Sequence, residues 1–485
     1  MHHNHIIMGH IRNMVRRIIL TVLAYSLGYS YASNKCNCGE NLEMTIKKVE
    51  ENYAGFPDKI TLLTQKEYGE FKERLLTVAV NTNDSGACYT LLKEYVNYFY
   101  DKHFRIEYNS RPDSIIIPIE VSKIKELSEN PDEHSLEGIW KDIKGTKIAI
   151  VKHGTNTYKA LKVSSGTDMY PEGFVYFTLT GQEDSFSAVL YNRKINIDIP
   201  VQKIGNFLKI WNMQLWVRDR AELTPMESQE LQSWKENNNG LIFKKINADF
   251  SYLKIPTFEN NDDKISKLVS ENDSVIKNTP FLIIDLRDNG GGSTGWVNLI
   301  PYIATSSIDQ GGSYLRISKE NSAKKISDLD AFVNHPIPDG YKKYFPQETL
   351  DAYRKAYHEI SKTKNQFLYM PSVVFPLDSV LPMPKKVAII FDELAGSSTE
   401  FFINLSKQSD KVVTYGQNSV GMMDYVGVST PSRLPFDGFM LYIPIEKSSW
   451  TDNSPIDRTG FSPQVRLGDP QEVWINQILK DLPKK

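Results

Sequence analysis

Two short stretches of this chain hold residues that together could do acyl-transfer chemistry. Residues 385–405 read KKVAIIFDELAGSSTEFFINL. The unbroken apolar run Val387, Ala388, Ile389, Ile390 and Phe391 has the pattern of a strand covered on both faces. A tight turn follows at 392–396, and Ser397-Ser398-Thr399-Glu400 opens an apolar helix through Phe401, Phe402, Ile403 and Leu405. Strand, small-residue turn and helix N-terminus is the geometry that exposes a serine at a sheet edge and aims backbone N–H groups at a bound group. Ser-x-x-Glu before an apolar run also spells a capping box, a purely structural device.

The second stretch, residues 281–292, reads FLIIDLRDNGGG. It is again a buried-strand pattern, ending in Asp285, Arg287 and three glycines. Successive glycines reach backbone conformations closed to other residues and let a ligand approach the main chain. Their N–H groups can form an anion-binding nest. Alone the triplet reads equally as a loop. Beside the serine turn, it completes a nucleophile with an oxyanion hole.

Asp-Leu-Arg-x-Asn-x-Gly-Gly after one strand and Ser-x-x-Glu after another resemble the C-terminal processing (tail-specific) serine peptidases, whose relatives include the tricorn core and the retinoid-binding-protein repeats. The resemblance covers roughly residues 247–479 and a short piece near His103. It implies an α/β (α+β) peptidase core and makes Ser397, three before the glutamate, the nucleophile. Members with a Ser–Lys dyad place the lysine after the second glycine of the turn at 416–422; here that residue is Met422. A thioether cannot take the serine proton, so a base must come from elsewhere.

The tricorn-like branch uses histidine and an acidic partner. Asp101-Lys102-His103 resembles its Asp-x-His or Ser-x-His segment, and Asp457, three before Gly460, stands at its acidic position. Aspartate is a shorter side chain there, and Gln464 replaces the usual aspartate after the proline. The resemblance thus implies a Ser397–His103–Asp457 triad. The N–H groups of Gly291 and Ser398 would form the oxyanion hole, with Gly290 and Gly292 open as alternatives to Gly291. Asp285 and Arg287 read as an ion pair shaping the glycine turn. The plainer alternatives are a satisfied structural histidine at 103 and a turn residue at 457.

The elements that must position these residues divide the chain. Arg12, Arg16 and Arg17 precede an apolar run at 18–27 and the small residues Ser30 and Ala32, the pattern of a signal peptide over residues 1–32. Residues 33–135 read as helical, with Leu42, Ile46, Val49 and Leu91, Tyr95, Phe99 at helix spacing. Residues 136–221 change to short β-rich runs with regular glycine turns, an antiparallel sheet or small barrel. Gly138-Ile139-Trp140 resembles the opening of a lipocalin. The PDZ domain common in the resembled family is not recognisable. Residues 222–239 read as a polar linker and 240–485 as the peptidase core. Within it, residues 309–384 resemble an insertion, whose Tyr341, Tyr344, Phe345, Tyr353 and Tyr357 would lie over the cleft or pack against the core.

A formal net charge of −2 and no long basic run argue against nucleic acid. No metal cluster or nucleotide loop is apparent, so no cofactor is implied. The three cysteines, Cys36, Cys38 and Cys88, leave open whether one of the first two pairs with Cys88 or all stay reduced. The expected protein is an exported serine endopeptidase, periplasmic, surface-exposed or secreted, acting on peptides or proteins. The competing expectation is an inactive ligand- or peptide-binding protein on the same fold, for which Met422 and the short Asp457 would be natural. His103 must reach Ser397 across a junction, so a resting separation longer than a hydrogen bond is expected.

Overall fold

The computed structural model describes residues 36–108, 116–129, 135–164, 170–182, 185–191, 199–211, 214–236, 240–337, 345–428, 430–468 and 471–485. The expected signal peptide, Tyr341 and Tyr344 lie outside them. Helices and sheets are both present, with a helical N-terminal region and a sheet-rich middle preceding the core.

The N-terminal helices Cys38–Asn52, Gln65–Ala79 and Ser85–Asn97 pack on one apolar cluster that takes in Leu42, Val49, Tyr95 and Phe99. Asn37 and Asp84 cap the first and third, accepting from Glu40 N–H at 3.2 Å and Ala87 N–H at 2.7 Å. A Cys38–Cys88 disulfide joins the same two helices, and Cys36 is free and buried. The strand Arg105–Tyr108 then leaves this region and pairs antiparallel with Phe439–Tyr442 of the core.

The middle region is a closed antiparallel barrel of eight strands, from Gly138–Asp142 to Gln214–Arg218, each paired with the next and the last with the first. Closure leaves no free edge. Trp140 is fully buried in it, under the Arg218 guanidinium 4.4 Å from the ring centroid. The expected linker carries a helix instead, Pro225–Lys235, opened by a Thr224/Glu227 capping box. It is ordered because Trp234 is buried under the barrel and Glu230 bridges barrel Lys209 and core Lys254, both at 3.2 Å.

The core is a six-stranded sheet in the order Ile242–Lys245, Phe250–Lys254, Phe281–Asp285, Lys386–Phe391, Val412–Gly416, Val465–Arg466. The first pair is antiparallel and the rest are parallel. Alternate residues face opposite layers. Leu282, Ile284, Val387 and Ile389 join the cluster holding helix Asp262–Lys277, and Ile283, Ala388 and Ile390 the one holding helix Trp474–Asp481. That two-sided cover explains why these strands read as continuous apolar runs. The insertion at 309–384 supplies helices Lys319–Val333 and Gln347–Ile360 and short strands. Its Phe345 and Tyr353 pack on the core.

Candidate active site

Ser397 stands between the strand Lys386–Phe391 and the helix Ser398–Ser406. Its backbone is left-handed, with φ 53° and ψ −123°. A non-glycine residue there is strained, and such strain concentrates at functional sites. This bend is what a serine on a strand-to-helix elbow requires. The capping-box glutamate is engaged too: Ser397 N–H donates to Glu400 Oε2 at 3.3 Å.

The glycine turn is the neighbour of the serine turn because their strands are adjacent and parallel, Phe281 opposite Lys386 and Asp285 opposite Ile390. Gly396 N–H donates to Asn289 O at 3.0 Å, joining the two turns. Gly291, at φ 98°, lies so close that a Cβ would stand 2.7 Å from Ser397 Cβ and 2.9 Å from Ser398 N. Asp285 and Arg287 form the expected ion pair, with Nη2 to Oδ2 at 2.5 Å. Burial would raise the Asp285 carboxyl, but the guanidinium holds it well below the usual carboxylate range.

One oxyanion assignment needs correcting. Gly291 N–H is not directed to the cleft; it donates to Asn289 Oδ1 at 3.0 Å, an Asx-type closure of the turn. Gly292 lines the cleft with Ser397 and Ser398. Among the described residues neither Gly292 N–H nor Ser398 N–H meets an acceptor.

His103 Nε2 lies 3.2 Å from Ser397 Oγ, and Nδ1 lies 2.9 Å from the Tyr425 carbonyl. A carbonyl only accepts, so Nδ1 carries the proton and Nε2 turns its lone pair to the serine. Asp101 fixes the bend before the ring, accepting His103 N–H at 2.9 Å and the Tyr53 hydroxyl at 2.8 Å. Burial lowers the imidazole pKa, and Arg105 adds to this, while the Tyr425 bond and the Asp457 charge oppose it. The separation is shorter than the expected open one, because strand Arg105–Tyr108 is zipped to Phe439–Tyr442.

Asp457 does not make the contact expected of a third triad member. Its Oδ2 pairs with Lys59 Nζ at 2.9 Å, and its Oδ1 is buried without a partner among the described residues. The shorter side chain meets Lys59, and the Tyr425 carbonyl occupies the imidazole Nδ1. Asp424 holds the turn that carries Asp457, accepting the N–H groups of Ile456 at 2.7 Å and Asp457 at 2.8 Å. Burial, followed by the Asp457 charge, pushes Asp101 up to about 7 and Asp424 up to about 6.

Residues 249–467 match the family model described as peptidase family S41. The core belongs to peptidase family S41. It is the core of a serine-type peptidase, a hydrolase. A comparison with curated proteins finds no match. Among solved structures, mature CPAF is similar over 89% of this chain and 92% of its own, at 12% identity and a TM-score of 0.51. Mature CPAF complexed with lactacystin is similar over 92% and 97%, at 12% identity and a TM-score of 0.52. At that identity the likeness concerns the fold.

In this S41 core the residue that sequence reasoning undervalued is Glu400. It was legible only as a cap. It is fully buried and also accepts Ser419 Oγ at 2.5 Å, Gly421 N–H at 2.6 Å and Met422 N–H at 3.0 Å. One carboxylate thus ties Ser397 to the turn bearing Met422. Burial pushes it up to about 7 despite these donors. Lys102 closes the same turn from the N-terminal region, donating to Val420 O at 2.7 Å. Beside Ser397 the S41 core opens a cleft of about 450 Å³, lined by Trp296, Tyr353, Phe401, Met423 and Trp450 among others. Among the described residues no group of His, Cys, Asp and Glu is placed to hold a metal ion, and no helix is long and apolar enough to cross a membrane.

Proposed function

We propose that the protein is an exported endopeptidase in which Ser397 attacks the scissile carbonyl of a peptide or protein. His103 Nε2 takes the hydroxyl proton and returns it to the leaving amine. The Tyr425 carbonyl holds the imidazole in the reactive tautomer, the task usually given to a carboxylate. The N–H groups of Gly292 and Ser398 receive the oxyanion of the tetrahedral intermediate. The observation that carries this reading is the 3.2 Å approach of His103 Nε2 to Ser397 Oγ, with the other ring nitrogen satisfied. Trp296, Phe401, Met423 and Trp450 would take apolar side chains of that peptide, in a cleft that Lys325, Glu446 and Ser313 also line.

Export is supported by the Cys38–Cys88 disulfide, since such bonds persist in oxidising compartments. N-terminal sequencing of the mature protein should read from Ser33. An unprocessed N-terminus would remove the export proposal. For the chemistry, a fluorophosphonate probe should label the wild type and not Ser397→Ala, and cleavage of labelled casein should be lost with it. An unlabelled wild type would leave the core non-catalytic.

A further inference from the structure

The barrel of residues 138–218 takes no part in the chemistry above, yet it grips both turns that carry it. Trp211 follows the strand Phe207–Ile210 with φ 42°, a conformation a bulky residue rarely adopts. Its Nε1 donates to Leu394 O at 3.0 Å, in the turn leading into Ser397. The same indole lies against Gly290, where a Cβ would stand 1.7 Å from Nε1. One barrel side chain therefore touches the serine turn and the glycine turn together.

Its neighbours reinforce the grip. Lys209, buried, pairs with Asp288 Oδ2 of the glycine turn at 2.5 Å. Gln202 Nε2 donates to Glu393 Oε1 of the serine turn at 2.7 Å. Between the turns, Asp288 N–H donates to Asp392 Oδ1 at 3.1 Å.

We propose that Trp211 is a positioning residue, through which the barrel sets the distance between the two turns and so aligns Gly292 N–H and Ser398 N–H with Ser397. The proposal rests on Ser397 being the nucleophile. Donors to a developing oxyanion act only when held in place beforehand. A displacement of about 1 Å in such a site costs on the order of 10²-fold in rate. A tryptophan wedged between the turns opposes that displacement, and its strained backbone is the cost of reaching both.

The test compares wild type, Trp211→Ala, Trp211→Phe, Gly290→Ala and the Trp211→Ala/Gly290→Ala double variant. It measures fluorophosphonate labelling rate, kcat and KM on labelled casein, and amide hydrogen exchange. Trp211→Ala should lower labelling and kcat on the order of 10²-fold with KM within about twofold. Exchange should quicken in residues 287–292 and 393–398, while the strands Phe281–Asp285 and Lys386–Phe391 stay protected. Trp211→Phe keeps a ring over Gly290 but loses the bond to Leu394, and should cost about three- to tenfold. Gly290→Ala should be impaired with Trp211 present and relieved in the double variant. Unchanged kcat and unchanged exchange in the two turns would overturn the proposal. If Trp211→Ala does not fold, Trp211→Phe and Gly290→Ala decide. If the wild type takes no label, Ser397 falls as the nucleophile and the exchange comparison alone judges the brace.

Discussion

His103 Nε2 and Ser397 Oγ lie 3.2 Å apart although 294 residues of chain separate them. The cause is a β-pairing: strand Arg105–Tyr108, immediately after the histidine, runs against Phe439–Tyr442 of the core. The ring is then held from two sides, by Asp101 at its own N–H and by the Tyr425 carbonyl at Nδ1. The imidazole is thus held at the outer edge of hydrogen-bond reach of the serine hydroxyl.

His103→Ala should lower kcat on the order of 10³-fold or more with little change in KM. The imidazole acts as a base only when neutral, and burial lowers its pKa from the ordinary 6.5. The acid limb of kcat/KM should therefore have its midpoint below 6.5, with full activity at neutral pH. The sign for stability follows from the same shift. On acidification the unfolded chain takes the proton first, so stability is lost as pH falls from 6.5 through the lower folded value. A pH–rate profile and urea titrations of both proteins check these outcomes.

Asp457→Asn should behave unlike the loss of a triad carboxylate, which costs about 10⁴-fold in kcat. Here the imidazole is oriented by Tyr425, so kcat should fall by about tenfold or less. The loss should appear as stability instead, on the order of 1–2 kcal/mol, because the Lys59 partner is partly exposed and screened. A fall in kcat of the size seen for His103→Ala would restore Asp457 to the triad.

Glu400→Gln turns an amide donor toward backbone N–H groups and should cost about 1–3 kcal/mol. Because burial raises the native carboxyl from 4.5 to about 7, native Glu400 binds its proton more tightly than the unfolded chain. Its contribution therefore declines as pH rises from 4.5 through about 7, a slope that Glu400→Gln should flatten in denaturant titrations. Met422→Lys tests the same turn: the side chain is 5% exposed, so an ammonium there should lower Tm without raising activity.

Removing the Cys38–Cys88 bridge, which closes a separation of 50 residues, should cost about 4 kcal/mol by chain entropy. The helix Ser85–Asn97 that carries Cys88 leads into His103, so activity and thermal stability of Cys38→Ser/Cys88→Ser should fall together. Thermal melts and casein assays with and without reductant measure both.

The two strand-turn motifs and the buried strands were legible because each is local. A run such as Val387 to Phe391 can be apolar throughout only if both faces are covered, and a serine followed by Glu400 marks a helix start wherever it occurs. Ser397 and the glycine turn meet because the sheet order sets Phe281–Asp285 parallel and next to Lys386–Phe391, an adjacency neither motif encodes. Which glycine N–H stays free was not legible, because it turns on the rotamer of Asn289 and its bond to Gly291. Nor was the orienter of His103, since a backbone carbonyl has no letter of its own and Tyr425 O could belong to any residue. Lys59, which takes Asp457, stands 398 positions before it, a distance that no spacing encodes. The helix at Pro225–Lys235 looked polar because Glu230 is buried among charges supplied by two other segments. Residue types and their spacing determined a serine at a helix start and a glycine turn after a second buried strand, and the family resemblance added His103. Tertiary packing decided which partner each group meets, because side-chain hydrogen bonds depend on positions within a few tenths of an ångström that only the assembled fold sets.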